Sequence, residues 1–238
     1  MSKIPCIAFA ALAGATLTGM AHAAVPAPWT PVRVKDQAVS VWGREYAFAS
    51  NALPVGVRSG GRNLLAGPMR IVCADTNGTE AVWKKGGSWV QEADEESATV
   101  CAWQEAPGVA ADVTARIEFD GMAKVSLALV PFPVKGSRIG ALSRVWLEIP
   151  LAPEAATLFN YSPASWSKLE NTGGVKGPVV WPFRCSVWLG NEKEGLCWFC
   201  ESDENFHPVD PQRVIEVLPG AKETLLRIRL SDKPPLRI

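Results

Sequence analysis

The side chains able to do chemistry gather in one stretch, FRCSVWLGNEKEGLCWFCESDENFHP, Phe183 to Pro208. Cys197 and Cys200 form a C-x-x-C, the spacing of redox and zinc sites. Glu201, Asp203, Glu204 and His207 supply carboxylates and an imidazole. Adjacent acids such as Asp203-Glu204 serve glycosidases in which the substrate's acetamido group is the nucleophile: the Asp orients it and the Glu protonates the leaving oxygen. A second acidic run, ADEE, occupies Ala93 to Glu96. Such dipeptides are common at strand ends and in solvated loops, and that reading is preferred for both runs.

The C-x-x-C weakens once the local structure is considered. GLCWFCES follows a turn-like GNEKEG and reads as a strand, on which residues three apart point to opposite faces. His207 is the only histidine beyond the first 23 residues, so a zinc site lacks ligands, and no metal or other cofactor is implied. A disulfide between Cys185 and the Cys197 region is admitted by a hairpin here. The pairing among Cys73, Cys101, Cys185, Cys197 and Cys200 stays open, with buried free thiols preferred to a disulfide framework. No G-x-S-x-G and no phosphate-binding glycine loop occurs. Asn77-Gly78-Thr79 matches a glycosylation acceptor but reads equally as a turn.

The remaining candidates are aromatic. The chain holds 10 tryptophans, and exposed aromatic faces stack on sugar rings. Tyr161, Trp166, Trp181 and Trp198 lie near polar residues and loops and are the carbohydrate-contact candidates. For each, a place in the core is the competing reading, because interiors take most aromatics.

The elements that must position these residues are strands. AVSVWGREYAF, SATVCAWQE, LSRVWLEIPL and the hairpins DVTARIEFDGMAKVSLALV and RVIEVLPGAKETLLRIRL alternate apolar and polar residues. Asp120-Gly121 and Pro219-Gly220 mark turns. The 20 glycines and 19 prolines fall mostly between the alternating runs. The class expected is all-β, an antiparallel β-sandwich of many short strands. Leu158 to Gly174 breaks the pattern, and its Ser162-Pro163 opens a stretch expected to be a short helix or an irregular loop.

MSKIPCIAFAALAGATLTGMAHA ends on an A-x-A pattern and is too short and too rich in Gly, Ala and Thr to span a bilayer. Residues 1–23 are expected to be a signal peptide cleaved after Ala23, giving a secreted or periplasmic protein. With 23 of 238 residues removed, about 215 remain for one domain, 24–238. No membrane span follows. A net charge of zero and a pI near 6.7 argue against nucleic acid as a partner.

Several segments together resemble the N-terminal β-sandwich of glycoside hydrolase family 123-like proteins: VWGREYAF, ALPVGVRSGGRNLLAGPM, LSRVWLEIPL, LFNYSPASW and, most strongly, WPFRCSVWLGNEKEGLCWFCESDENF. The likeness is collinear over nearly the whole chain beyond the leader. It implies a relation to β-N-acetylgalactosaminidases whose catalytic Asp-Glu pair lies on a separate (β/α)8 barrel. Such a barrel takes ~250 residues, so that pair has no counterpart here, and Asp203-Glu204 is not assigned its role. The expectation is a non-catalytic domain, truncated, split or free-standing, with a glycan or a separate catalytic barrel as partner. A carbohydrate-binding module, or a small glycosidase using the acids at 201–204, is the alternative.

Overall fold

The computed structural model describes residues 25–49, 51, 53–132, 142–162 and 171–233. In chain order the strands begin with β1 (Arg33–Lys35), β2 (Ala38–Val41), β3 (Arg44–Ala47), β4 (Gly56–Ser59) and β5 (Arg62–Asn63), then β6 (Arg70–Asp75). Four longer strands follow: β7 (Lys85–Ala93), β8 (Ser97–Ala106), β9 (Gly108–Glu118) and β10 (Ala123–Phe132). Next come β11 (Leu142–Leu151), a 3-10 turn at Pro153–Ala155, β12 (Leu158–Tyr161), β13 (Thr172–Gly174) and β14 (Val179–Trp181). The chain closes with β15 (Ser186–Gly190), β16 (Gly195–Phe199), β17 (Ile215–Pro219) and β18 (Thr224–Ser231).

The architecture is all-β, and the named strands pair antiparallel. The strands are shared among four sheets rather than the two of a simple sandwich. The first is β1-β2-β3-β4-β5 and the second β10-β9-β8-β7. The third is β14-β17-β18-β11-β6 and the fourth β13-β12-β15-β16. The first and second sheets are meanders, so their order follows from local turns. The third is assembled from strands far apart in sequence.

Alternation explains the hairpins. In β9, Val113, Ala115 and Ile117 are buried while Asp112 and Arg116 are exposed. Gly121, at φ 87°, takes the left-handed turn to β10, and Gly43, at φ 69°, does the same between β2 and β3. Asp75 Oδ1 accepts hydrogen bonds from the backbone N–H of Asn77 and Thr79, so the Asn77-Gly78-Thr79 motif stands in an Asp-capped turn. Asp94 Oδ1 likewise accepts from the N–H of Glu96 and Ser97. The ADEE acid thus forms the β7–β8 turn.

In the segment Leu158 to Gly174, residues 163–170, where a helix or loop is expected, lie outside the described residues. The segment's two ends are strands: β12 pairs with both β13 and β15. Phe159 and Tyr161 are partly buried against the core while Leu158 and Asn160 face outward. This is the two-residue period of a strand, too short in the sequence to be read as one. Trp166 and residues 1–23, the expected leader, lie outside the described residues.

Three cores join the sheets. Val39 and Val41 of the first sheet, with Phe48 just past β3, meet Val100, Ala115 and Ile117 of the second. Ile71, Cys73 and Val145 of the third meet Ala102, Ala111 and Val113 of the second. Ile149, Ile215, Leu226 and Ile228 of the third meet Val187 and Leu189 of the fourth. Leu226 and Ile228 are fully buried, each worth about 1.5–3 kcal/mol relative to exposure.

Candidate functional site

Ser186–Gly190 and Gly195–Phe199 form the hairpin expected around GNEKEG, with Gly190 paired to Gly195 and Trp188 to Cys197. Asn191 Oδ1 accepts hydrogen bonds from the N–H of Lys193 and Glu194, which fixes the turn. Val187 and Leu189 face the core. Trp188 and Cys197 therefore face the other way, and Cys200, three residues on, returns to the side of Val187. The sulfurs of the C-x-x-C are thus divided between the two faces. All five described cysteines are free thiols: Cys73 and Cys101 buried, Cys185 and Cys197 exposed, Cys200 between.

Beyond β16 the chain is a surface loop. Glu201, Asp203, Glu204 and His207 are all exposed. The Asp203 carbonyl accepts the Phe206 N–H at 2.8 Å, and the Glu204 N–H donates to Ser202 Oγ at 3.0 Å. The His207 N–H donates to the Leu230 carbonyl, tying the loop to β18. A glycosidase acid works in a cleft that shields it from water, whereas these four side chains are exposed. Among the described residues no cluster of three or more His, Cys, Asp or Glu is placed to hold a metal ion.

The aromatic candidates sort by burial. Trp181 is 7 % exposed. Its ring lies 4.8 Å from Tyr161 and 5.2 Å from Phe159, centroid to centroid. Tyr161 is half-buried, with Phe159 stacked on one side and the Arg184 guanidinium 5.3 Å from its centroid. Trp198 is half-buried, edge-on to Phe183, which also meets Phe206 edge-on. The structure therefore brings Tyr161 and Trp181 together and sets Trp198 in a neighbouring cluster, both against the core of the third and fourth sheets.

The open aromatic rings are elsewhere. Trp89 is 53 % exposed. It pairs with Cys101, so it shares the outer face of the second sheet with Trp103 two residues along. Thr99, Asp112 and Thr114 lie on that face by register. The strand period in SATVCAWQE points to this face; the exposure of Trp89 depends on its place on an edge strand, which the sequence does not display. A shallow depression of about 450 Å³ lies by the Asn191 turn, is lined by Arg62, Glu154, Asn191 and Glu194 among others, and has no aromatic ring in its wall.

The densest charge constellation went unsuspected in the sequence. On the outer face of the third sheet, Arg227 stands opposite both Glu148 and Glu216. It approaches them at 2.7 and 3.3 Å. Arg213 and Arg229 also reach Glu216, at 2.6 and 3.1 Å, and Arg70 reaches Glu148 at 3.0 Å. Arg144, Arg227 and Arg229 all lie over the Trp146 ring, 4.4–4.9 Å from its centroid. Burial alone would push the Glu216 carboxyl up. The hydrogen bond from Arg213 and the charge of Arg229 outweigh it and hold the group below the ordinary 4.5. A carboxylate so saturated has no proton to donate at neutral pH, so the cluster is a clamp across three strands rather than acid–base machinery. The alternation of Arg227 and Arg229 with Leu226, Ile228 and Leu230 is the signal that marks it.

A family model described as "Glycoside hydrolase 123, third domain" matches residues 32–211. This is the family that the sequence motifs resemble, and the description gives the domain's position as third rather than N-terminal. No curated protein matches the chain.

Proposed function

The chain belongs to the glycoside hydrolase 123 family, and from that footing we propose that it is a non-catalytic β-domain that packs beside a β-N-acetylgalactosaminidase-type barrel. The observation that carries the reading is the state of the carboxylates within the matched segment. Asp203 and Glu204 stand on an open loop, and Glu148 is engaged by arginines on a sheet face. We further place the protein outside the cytoplasm, secreted or periplasmic, on the strength of the Ala21-His22-Ala23 pattern.

The test is an assay of the purified chain on an aryl N-acetyl-β-galactosaminide and on galactosamine-containing glycans. No turnover above buffer is expected. Release of N-acetylgalactosamine that disappears in a D203N/E204Q double variant would instead establish a small glycosidase.

Glycan contact is a second reading, and the outer face of the second sheet favours it. Trp89 offers an open ring there, with Trp103 and polar side chains alongside, the combination of stacking surface and hydrogen-bonding groups that suits a sugar. Tyr161 and Trp198 remain the alternative contact, through their half-open edges. Titration with galactosamine-containing oligosaccharides, followed by tryptophan fluorescence, separates the two. A loss of binding in W89A assigns the second sheet, and a loss in W198A assigns the fourth.

A further inference from the structure

The β15–β16 ladder runs one step beyond its named ends. Ser186 pairs with Phe199, and the Cys200 N–H donates to the Cys185 carbonyl at 2.9 Å. That single bond sets Cys185 and Cys200 across from each other just past the end of the ladder. Side chains of such a pair lie on the same face, with Cα atoms about 5.5 Å apart. That is inside the ~4.4–6.8 Å range a disulfide spans. Cys197 instead faces Trp188 on the other side of the hairpin. Cys73 and Cys101 are both buried, away from this hairpin.

We propose that Cys185 and Cys200 are a redox pair that closes to a disulfide, stapling the open end of the β15–β16 hairpin, when the protein meets a disulfide oxidant such as oxidised glutathione. The exposed Cys185 thiolate attacks one glutathione sulfur. The glutathione S–S bond breaks and one glutathione leaves as its thiolate. Cys200 then attacks the Cys185 sulfur of the mixed disulfide, the protein S–S bond forms, and the second glutathione leaves. Two protein thiols have lost two hydrogens, which end on two glutathione thiols. The Cys200 Sγ is directed at the Ser202 carbonyl, 3.1 Å away; closure exchanges that weak bond for the S–S bond by rotating the Cys200 side chain. Cys197, on the opposite face, is left as a free thiol.

The experiment incubates the purified chain with oxidised glutathione at pH 8, alkylates the remaining thiols and maps the peptides without reduction. The expected map links Cys185 to Cys200 and carries the alkyl group or a glutathione on Cys197. The C197S variant gives the same link, whereas C185S and C200S give only mixed disulfides. The oxidised form unfolds roughly 5 °C above the reduced form, because the bridge closes a short loop of the unfolded chain. A Cys185–Cys197 or Cys197–Cys200 link overturns the proposal. So does an outcome in which the surface thiols carry glutathione and no intramolecular link forms.

Discussion

At the scale of single residues, Glu216 is the most committed carboxylate on the outer face of the third sheet. It is fully buried and accepts from Arg213, Arg227 and Arg229. Removing its charge leaves three guanidiniums facing a neutral group, and those of Arg227 and Arg229 are themselves mostly covered. Because Arg213 is half exposed, water compensates part of the loss. E216Q should therefore cost about 2–3 kcal/mol in urea unfolding; a cost below a few tenths would mean the clamp contributes nothing. The pH dependence follows in sign. The folded carboxyl is held below 4.5, so its stabilisation is complete above that value and fades as the pH falls through the lower folded value. Wild-type stability should fall in that acid range, and E216Q should flatten the fall. The thiol of Cys73 is the counterpart in the apolar interior, where burial pushes it up to about 12. At pH 8 iodoacetamide should label Cys185 in minutes and Cys73 only as fast as the protein globally unfolds, as followed by mass spectrometry. Equal labelling rates in the native protein would mean that Cys73 is not sequestered.

At the scale of elements, the β15–β16 hairpin shows why the segment that looked most like an active site is so distinctive. A Cβ on Gly195 would lie 2.5 Å from Trp188 Nε1, 2.6 Å from its Cε2 and 2.7 Å from the Leu189 carbonyl, and one on Gly190 would collide with the same ring. The two glycines face each other and form the seat across which the Trp188 indole lies. The pattern W-L-G…G-L is thus a packing signature, with each glycine required by close approach. G190A should lower stability by about 2 kcal/mol and alter the near-UV circular dichroism of Trp188. G177A, where a Cβ meets nothing within 4 Å, should be near neutral. Equal effects of the two would remove the seat as an explanation. The hairpins were legible because alternation and turn residues are local. The β9–β10, β15–β16 and β17–β18 pairs stand where the sequence places them. The addition of β6 to β11 and of β14 to β17 was not legible, since pairing between distant strands depends on the register of faces that the chain brings together only in three dimensions. The candidate site was legible only in its residue types. The residues beside Trp181, Trp198 and Trp89 do not tell a buried ring from an open one; the sheet laid over it does.

At the scale of the molecule, four sheets invite the question of whether they unfold as one body. The three cores are not isolated from one another. Leu147 and Leu230 pack against both the core between third and fourth sheets and that between third and second. Met69 does the same from the segment before β6, and Tyr46 joins the first of these to the core between first and second sheets. Tyr46 also donates its hydroxyl to the Gly121 carbonyl at 2.6 Å, pinning the β9–β10 turn to the first sheet. A sheet that opened alone would expose apolar surface on the neighbour it left, so partial unfolding costs nearly as much as complete unfolding. Urea transitions followed by far-UV circular dichroism, tryptophan fluorescence and Cys73 alkylation should therefore coincide. L147A, which truncates a side chain shared by two cores, should shift all three midpoints together by an amount equivalent to about 2 kcal/mol, the low end of a buried leucine truncation because Leu147 is only partly buried. Separate transitions, or a shift confined to one probe, would divide the protein into independently folding parts. On the proposed function, a single transition would let the domain hold a separate barrel as one body, with all four sheets in register.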